Sequence, residues 1–157
     1  MPLLQFHVFE GRSDQELAAL LDATHRVVLD VFRVPQRDRY QIVHEHKPSH
    51  VRLEDTGLGI ERSDKFVLLQ ITTQRHPTEQ KTAFYDKLCA ELERSCGVKP
   101  TDVMVSIVEN TLADWSFGLG RAQFLTGELH GAIEEATSEQ RESKQASKLA
   151  GRPGRST

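Results

Sequence analysis

The order of segments predicts an α/β fold of the α+β sandwich type: two tandem β-α-β units forming one four-stranded mixed sheet with two helices on one face. Three observations carry this. A strand-like stretch, a capped amphipathic stretch and a second strand-like stretch follow one another over residues 2–46. The same order returns over residues 65–109. Right-handed crossovers then place both helices on the same side of the sheet.

The first strand begins at Pro2 and alternates Leu4, Phe6 and Val8 against Leu3, Gln5 and His7, with Phe9 as an apolar residue on the second face. That is the pattern of a sheet with one face in the core. Gly11 ends it, and Ser13 with Glu16 three residues later forms a capping-box signature. Leu17, Leu20, Leu21, Thr24, Val28 and Val31 follow at helical spacing to about Phe32, where Val34-Pro35 stops the helix. Residues 39–46 read as a second strand, parallel to the first. A turn at 47–49 leads to an expected short edge strand at 51–53, and the glycines at 57 and 59 make a further turn.

The second unit opens with a nearly continuous apolar run over 66–72, as expected for a central strand. Pro77 marks the start of a helix carrying Phe84, Leu88 and Leu92, and Gly97 follows its end near Cys96. Residues 103–108 are the returning strand. The sheet's other face has nothing left to cover it, so alternating apolar residues there predict a partner subunit. The folded domain is expected to span 2–129. Residues 130–157 turn to Glu, Lys, Arg, Ser and Ala and read as a charged tail, disordered or loosely helical.

A chain of 157 residues is long enough for one well-formed core. The net charge of −3 gives no basic footprint for nucleic acid. No apolar run has membrane length and no charged-then-hydrophobic leader opens the chain, so a cytoplasmic protein without a membrane partner is expected. Cys89 and Cys96 lie on one helix about 10 Å apart, too far to pair with each other. His44 and His46 share a strand face with His50 nearby, but Glu45 points the other way and no third ligand has a defined spacing. No metal and no cofactor is expected.

The chemistry-bearing candidates cluster at strand ends. Removal of Met1 would turn Pro2 into a free secondary amine, acid or base according to its neighbours. Asp38, just before the second strand, lies near that amine if the two strands are parallel neighbours; taken alone it is equally a loop carboxylate paired with Arg37 or Arg39. Arg75, between Gln74 and His76 at a strand-to-helix junction, suits a carboxylate-bearing substrate, and an exposed loop arginine is the other reading. Trp115, Phe117, Phe124 and Leu129 sit in a glycine-rich segment holding the chain's one Trp, as a pocket wall or as a contact with a neighbouring subunit.

Taken together, the start-Pro2, the stretch 37–46 (RDRYQIVHEH), the stretch 54–59 (EDTGLG), Glu109-Asn110 and the stretch 114–118 (DWSFG) resemble the tautomerase superfamily. Within it the chain is most similar to the malonate semialdehyde decarboxylase group, over residues 2–129. The resemblance implies a homotrimer, the N-terminal proline as catalytic group and Asp38 as its acidic partner. It also implies Trp115, Phe117, Phe124 and Leu129 as the apolar wall. That group has two arginines two residues apart at the end of the central strand, where this chain reads Gln74-Arg75-His76. The expected set is therefore catalytic Pro2, Asp38 and Arg75, with Gln74, His76 and the wall binding a small oxo-carboxylate. The expected reaction is decarboxylation of a 3-oxo acid or keto–enol tautomerisation, with hydration as a side activity. The contrasting reading is a trimeric binding protein whose pocket no longer reacts.

Overall fold

The computed structural model describes residues 1–129. They fall in two compact units, Met1–Thr111 and one beginning at Leu112. The expected tail lies outside the described residues.

The first unit is the double β-α-β chain. Its elements are β1 (Leu3–Phe9), α1 (Asp14–Phe32), β2 (Tyr40–His46), β3 (Val67–Gln74), α2 (Thr78–Cys96) and β4 (Val103–Asn110). The sheet order is β2-β1-β3-β4; β1 is parallel to β2, β3 is parallel to β4, and the two units meet antiparallel along β1 and β3. The mixed sheet and its two helices are as the sequence predicts.

The alternation along β1 decides which face is dry. Leu4, Phe6 and Val8 are buried and meet Leu20, Val27 and Val28 of α1, and Phe84, Leu88 and Leu92 of α2, in one core. Phe84 is fully buried and stacks on Phe32 with ring centroids 4.8 Å apart; truncating such a ring typically costs about 3–5 kcal/mol. Both helices are set at their ends by local chemistry. Ser13 accepts from the Glu16 N–H, and the Glu16 carboxylate accepts from the Ser13 N–H at 2.8 Å, closing the capping box. Gly97 ends α2 at φ +63° and Arg33 ends α1 at φ +52°.

The expected strand at 51–53 does not form. Pro48–His50 is a 3₁₀ turn followed by irregular chain. Its carbonyls serve another partner: the Arg52 guanidinium donates to the Ser49 and Val51 oxygens at 3.2 and 3.0 Å. The opposite sheet face is open in this unit, with Tyr40, Ile42, Met104 and Val108 exposed on it. Cys89 and Cys96 are free and half-buried, and burial pushes both thiols up. Among the described residues no helix is long and apolar enough to cross a membrane.

Candidate active site

Strand register builds the site. Leu3 lies opposite Tyr40 on one side and Thr72 on the other. Continuing both ladders outward by two residues sets Met1 beside Asp38 and Gln74, with Pro2 between Arg39 and Thr73. The chain terminus is thus held in the middle of the sheet edge where β2 begins and β3 ends.

Asp38 is the central group there. It is 4% exposed, and neither carboxylate oxygen has a hydrogen-bond donor. Its ionic neighbour is the terminal amine of Met1, 3.5 Å from Oδ2, a contact too long to serve as a strong hydrogen bond. Met1's ammonium is the free terminus here; in a chain lacking Met1 that charge would pass to the Pro2 nitrogen. Burial pushes the Asp38 carboxyl up, and the terminal amine pulls it back. Neither loop arginine pairs with it: Arg39 instead donates to Asp22 and Gln41, each at 2.6 Å.

His76 is held by a relay that spans both helices. Gln80 Nε2 donates to the Val31 carbonyl at 2.8 Å, which leaves Gln80 Oε1 facing His76 Nδ1 at 3.0 Å. A carboxamide oxygen only accepts, so Nδ1 carries the proton and Nε2 is the acceptor for the Thr73 hydroxyl at 3.2 Å. The ring also stacks on Phe32, 4.2 Å between centroids. Burial holds its pKa below the ordinary histidine value, the Gln80 bond opposes this, and the charge of the terminal amine lowers it further. His76 is therefore a neutral imidazole within reach of the terminus's field.

Gln74 is 7% exposed and its Nε2 has no acceptor. An orphaned donor and an orphaned carboxylate at one strand edge are what a pocket for a polar ligand leaves behind. Arg75 is exposed on the β3–α2 connection, and its charge helps lower the Glu109 carboxyl, whose main partner is the Lys81 ammonium. Thr73, Gln80 and Lys81 are missed by sequence reasoning, and Glu109 enters it only within the resemblance; Gln80, four residues beyond His76, is the one that spacing could have flagged.

The second unit carries the aromatic residues. Trp115 and Phe117 stack in parallel at 5.6 Å, and Phe124 meets Phe117 edge-on at 5.6 Å. Gln123 ties the loop by accepting from the Phe117 N–H and donating to the Gly118 carbonyl. Phe124 is buried and Leu129 is exposed.

His44 and His46 have an unforeseen companion, His7. Its ring stacks between theirs at 4.8 and 5.1 Å, and its Nδ1 lies 2.9 Å from His46 Nε2. Among the described residues no group of three or more His, Cys, Asp or Glu is arranged to hold a metal ion.

Two family models, both described as tautomerase enzyme, match this chain, over residues 38–118 and 2–61. It is 56% identical over 129 residues to the probable tautomerase YrdN of Bacillus subtilis (strain 168), covering 82% of this chain and 100% of that protein. Among solved structures, a malonate semialdehyde decarboxylase studied for its decarboxylase and hydratase activities superposes with a TM-score of 0.79 at 52% identity, over 82% of this chain and 99% of that one. The FG41 malonate semialdehyde decarboxylase inhibited by 3-bromopropiolate gives 0.78 at 38% identity, over 82% and 98%. A fused 4-OT symmetric trimer shares the fold, with a TM-score of 0.65 at 21% identity over 80% and 98%. The chain belongs to the tautomerase family, near its malonate semialdehyde decarboxylases, and is an enzyme of tautomerase or decarboxylase kind.

Proposed function

We propose that the mature chain begins at Pro2 and uses that secondary amine, with Asp38, to decarboxylate a small 3-oxo acid of the malonate semialdehyde type. The observation that carries the proposal is the buried Asp38 carboxylate, free of hydrogen-bond donors and 3.5 Å from the terminal amine. A carboxylate so placed favours the protonated amine. The Pro2 ammonium then donates to the substrate's carbonyl oxygen. The C–C bond to the carboxylate breaks, carbon dioxide leaves, and the electron pair is taken up as the enol, which regains a proton at carbon. Arg75 orients the substrate carboxylate and the Gln74 N–H adds a neutral donor.

Keto–enol tautomerisation is the second reading, and the neutral His76 favours it. Where the malonate semialdehyde decarboxylase group's pattern has two arginines two residues apart, this chain has one guanidinium, Arg75, with the uncharged His76 ring beside it, which suits an enol as well as an anion. Water addition to an unsaturated acid, with Asp38 as base, is the expected side reaction. The active form is taken to be a homotrimer, supported by the open apolar sheet face and by the trimeric assembly of the fused 4-OT.

The test is intact mass, to establish loss of Met1, followed by carbon dioxide release from malonate semialdehyde and ketonisation of phenylenolpyruvate. Pro2→Ala is expected to lose about a hundredfold or more; full activity in that variant would overturn the proposal. Borohydride trapping separates an iminium route from simple hydrogen bonding.

A further inference from the structure

The sheet has a second end, and it repeats the first. A constant step of 64 residues carries Leu3 to Val67, Asp14 to Thr78 and Arg33 to Gly97, so strands, helices and left-handed caps coincide. The same step takes Asp38 to Asp102. Both are buried, at 4% and 1% exposure, and both follow a turn in which the Asp N–H donates to the carbonyl three residues back at 2.9 Å. It also takes Pro2 to Phe66 and His76 to its counterpart Arg12, whose guanidinium donates to the Lys65 and Phe66 carbonyls as a clamp on the chain there.

One difference is decisive. Asp38 faces a terminal amine with both oxygens open, while Asp102 accepts from the Ser63 N–H at 2.5 Å and the Ser63 hydroxyl at 2.7 Å. The second end has no amine and a carboxylate already satisfied.

It does have a cavity, of about 990 Å³, between the end of β1, the start of α1 and the chain leading into β3. Arg12, Arg52 and Arg62 line it. The hydrogen bonds of each guanidinium go to backbone carbonyls; Arg62 also lies over the Phe66 ring at 5.8 Å with its Nε buried without an acceptor, and Arg12 feels the charges of Glu16, Asp64 and Asp102 without an ion pair to any of them. Glu10, Glu54 and Asp64 also line the cavity, but among the described residues no carboxylate comes within 4 Å of any of the three guanidiniums. Glu16, a fourth acid on the wall, is taken by the Ser13 N–H and hydroxyl. Guanidiniums fixed by neutral acceptors keep their remaining N–H groups for an oxyanion.

We propose that this cavity is a second, non-reacting pocket for a small oxyanion, carboxylate or phosphate, derived by the fold's internal duplication from the Pro2 site and held by Arg12, Arg52 and Arg62. It stands on the cavity and its unpaired guanidiniums, and does not require the proposed chemistry at Pro2.

Amide NMR of the full-length protein, titrated with malonate and separately with inorganic phosphate, tests it. The wild type should show saturable shifts over residues 62–66, weakened about tenfold or more in Arg62→Gln. Arg52→Gln, on an exposed loop and outside the α1–sheet packing, should weaken the same shifts should Arg62→Gln fail to fold. Turnover at the Pro2 pocket should be unchanged in both variants. Tighter malonate binding identifies a carboxylate ligand and tighter phosphate binding a phosphoryl one; either upholds the pocket. No saturable shift over 62–66, or one that survives both substitutions, overturns it.

Discussion

Asp38 is a residue whose burial costs stability at the place where the proposed chemistry needs a carboxylate. Its carboxylate is buried without a hydrogen-bond donor, so its folded pKa lies above the ordinary 3.8. A raised carboxyl favours folding below 3.8 and loses that advantage as pH rises through the folded value. At neutral pH the charge therefore works against the fold. Asp38→Asn is expected to melt no lower than wild type at pH 7, with the difference shrinking toward pH 4, while kcat/KM falls by about 10²–10⁴-fold. Thermal melts across pH with parallel assays check both halves. Histidines act in the opposite sense. His7 and His76 both have folded pKa values below the ordinary 6.5, so their neutral forms favour folding above 6.5 and that contribution fades as pH falls through the folded values. The melting temperature should drop on acidification below about 6.5, and His76→Gln should flatten that slope. The nearness of Asp38 to the terminus was legible from parallel strand order alone. The state of His76 was not, because its neutrality comes from burial in the folded chain and its tautomer from Gln80, which the Val31 carbonyl of the other helix anchors, a tertiary contact with no sequence spacing.

Helices α1 and α2 are built alike but finished differently. Each has 19 residues and each ends in a left-handed residue, Arg33 in one and Gly97 in the other. A side chain at φ +52° carries a steric cost that glycine avoids. Arg33→Gly should stabilise the protein by about 0.5–1 kcal/mol, read as a higher denaturation midpoint with unchanged slope. A lower midpoint would mean that the Arg33 side chain contributes more than its backbone strain removes. The helices were readable because the apolar period agrees with a boundary signal in each, the Ser13–Glu16 capping box in α1 and the terminal Gly97 in α2. The 51–53 segment reads as a strand because its alternation is real, but the chain there is irregular and its Val51 carbonyl is taken by the Arg52 guanidinium. The duplicated architecture was legible, but its 64-residue register was not, because most duplicated positions keep their geometry and not their residue types, as His76 and Arg12 illustrate.

At the scale of the molecule, the open sheet face is the feature left unmatched in the first unit. Ile42 and Val108 stand on its two edge strands, 46% and 57% exposed, where a partner subunit would cover them. Sedimentation of the wild type should give three times the mass of the chain, and Val108→Glu together with Ile42→Glu should release single chains. A wild type that sediments as one chain would remove the trimer from the proposal. Activity should fall with dissociation if the assembled form is the working one.

The most direct measurement compares the protein prepared to start at Pro2 with the same protein retaining Met1, both shown by circular dichroism to be equally folded. In the second form the Pro2 nitrogen is an amide and cannot accept a proton or form an iminium. A Pro2-dependent enzyme predicts that the Met1-retaining form loses about a hundredfold or more of its decarboxylase and tautomerase turnover. Equal turnover in the two forms would contradict it.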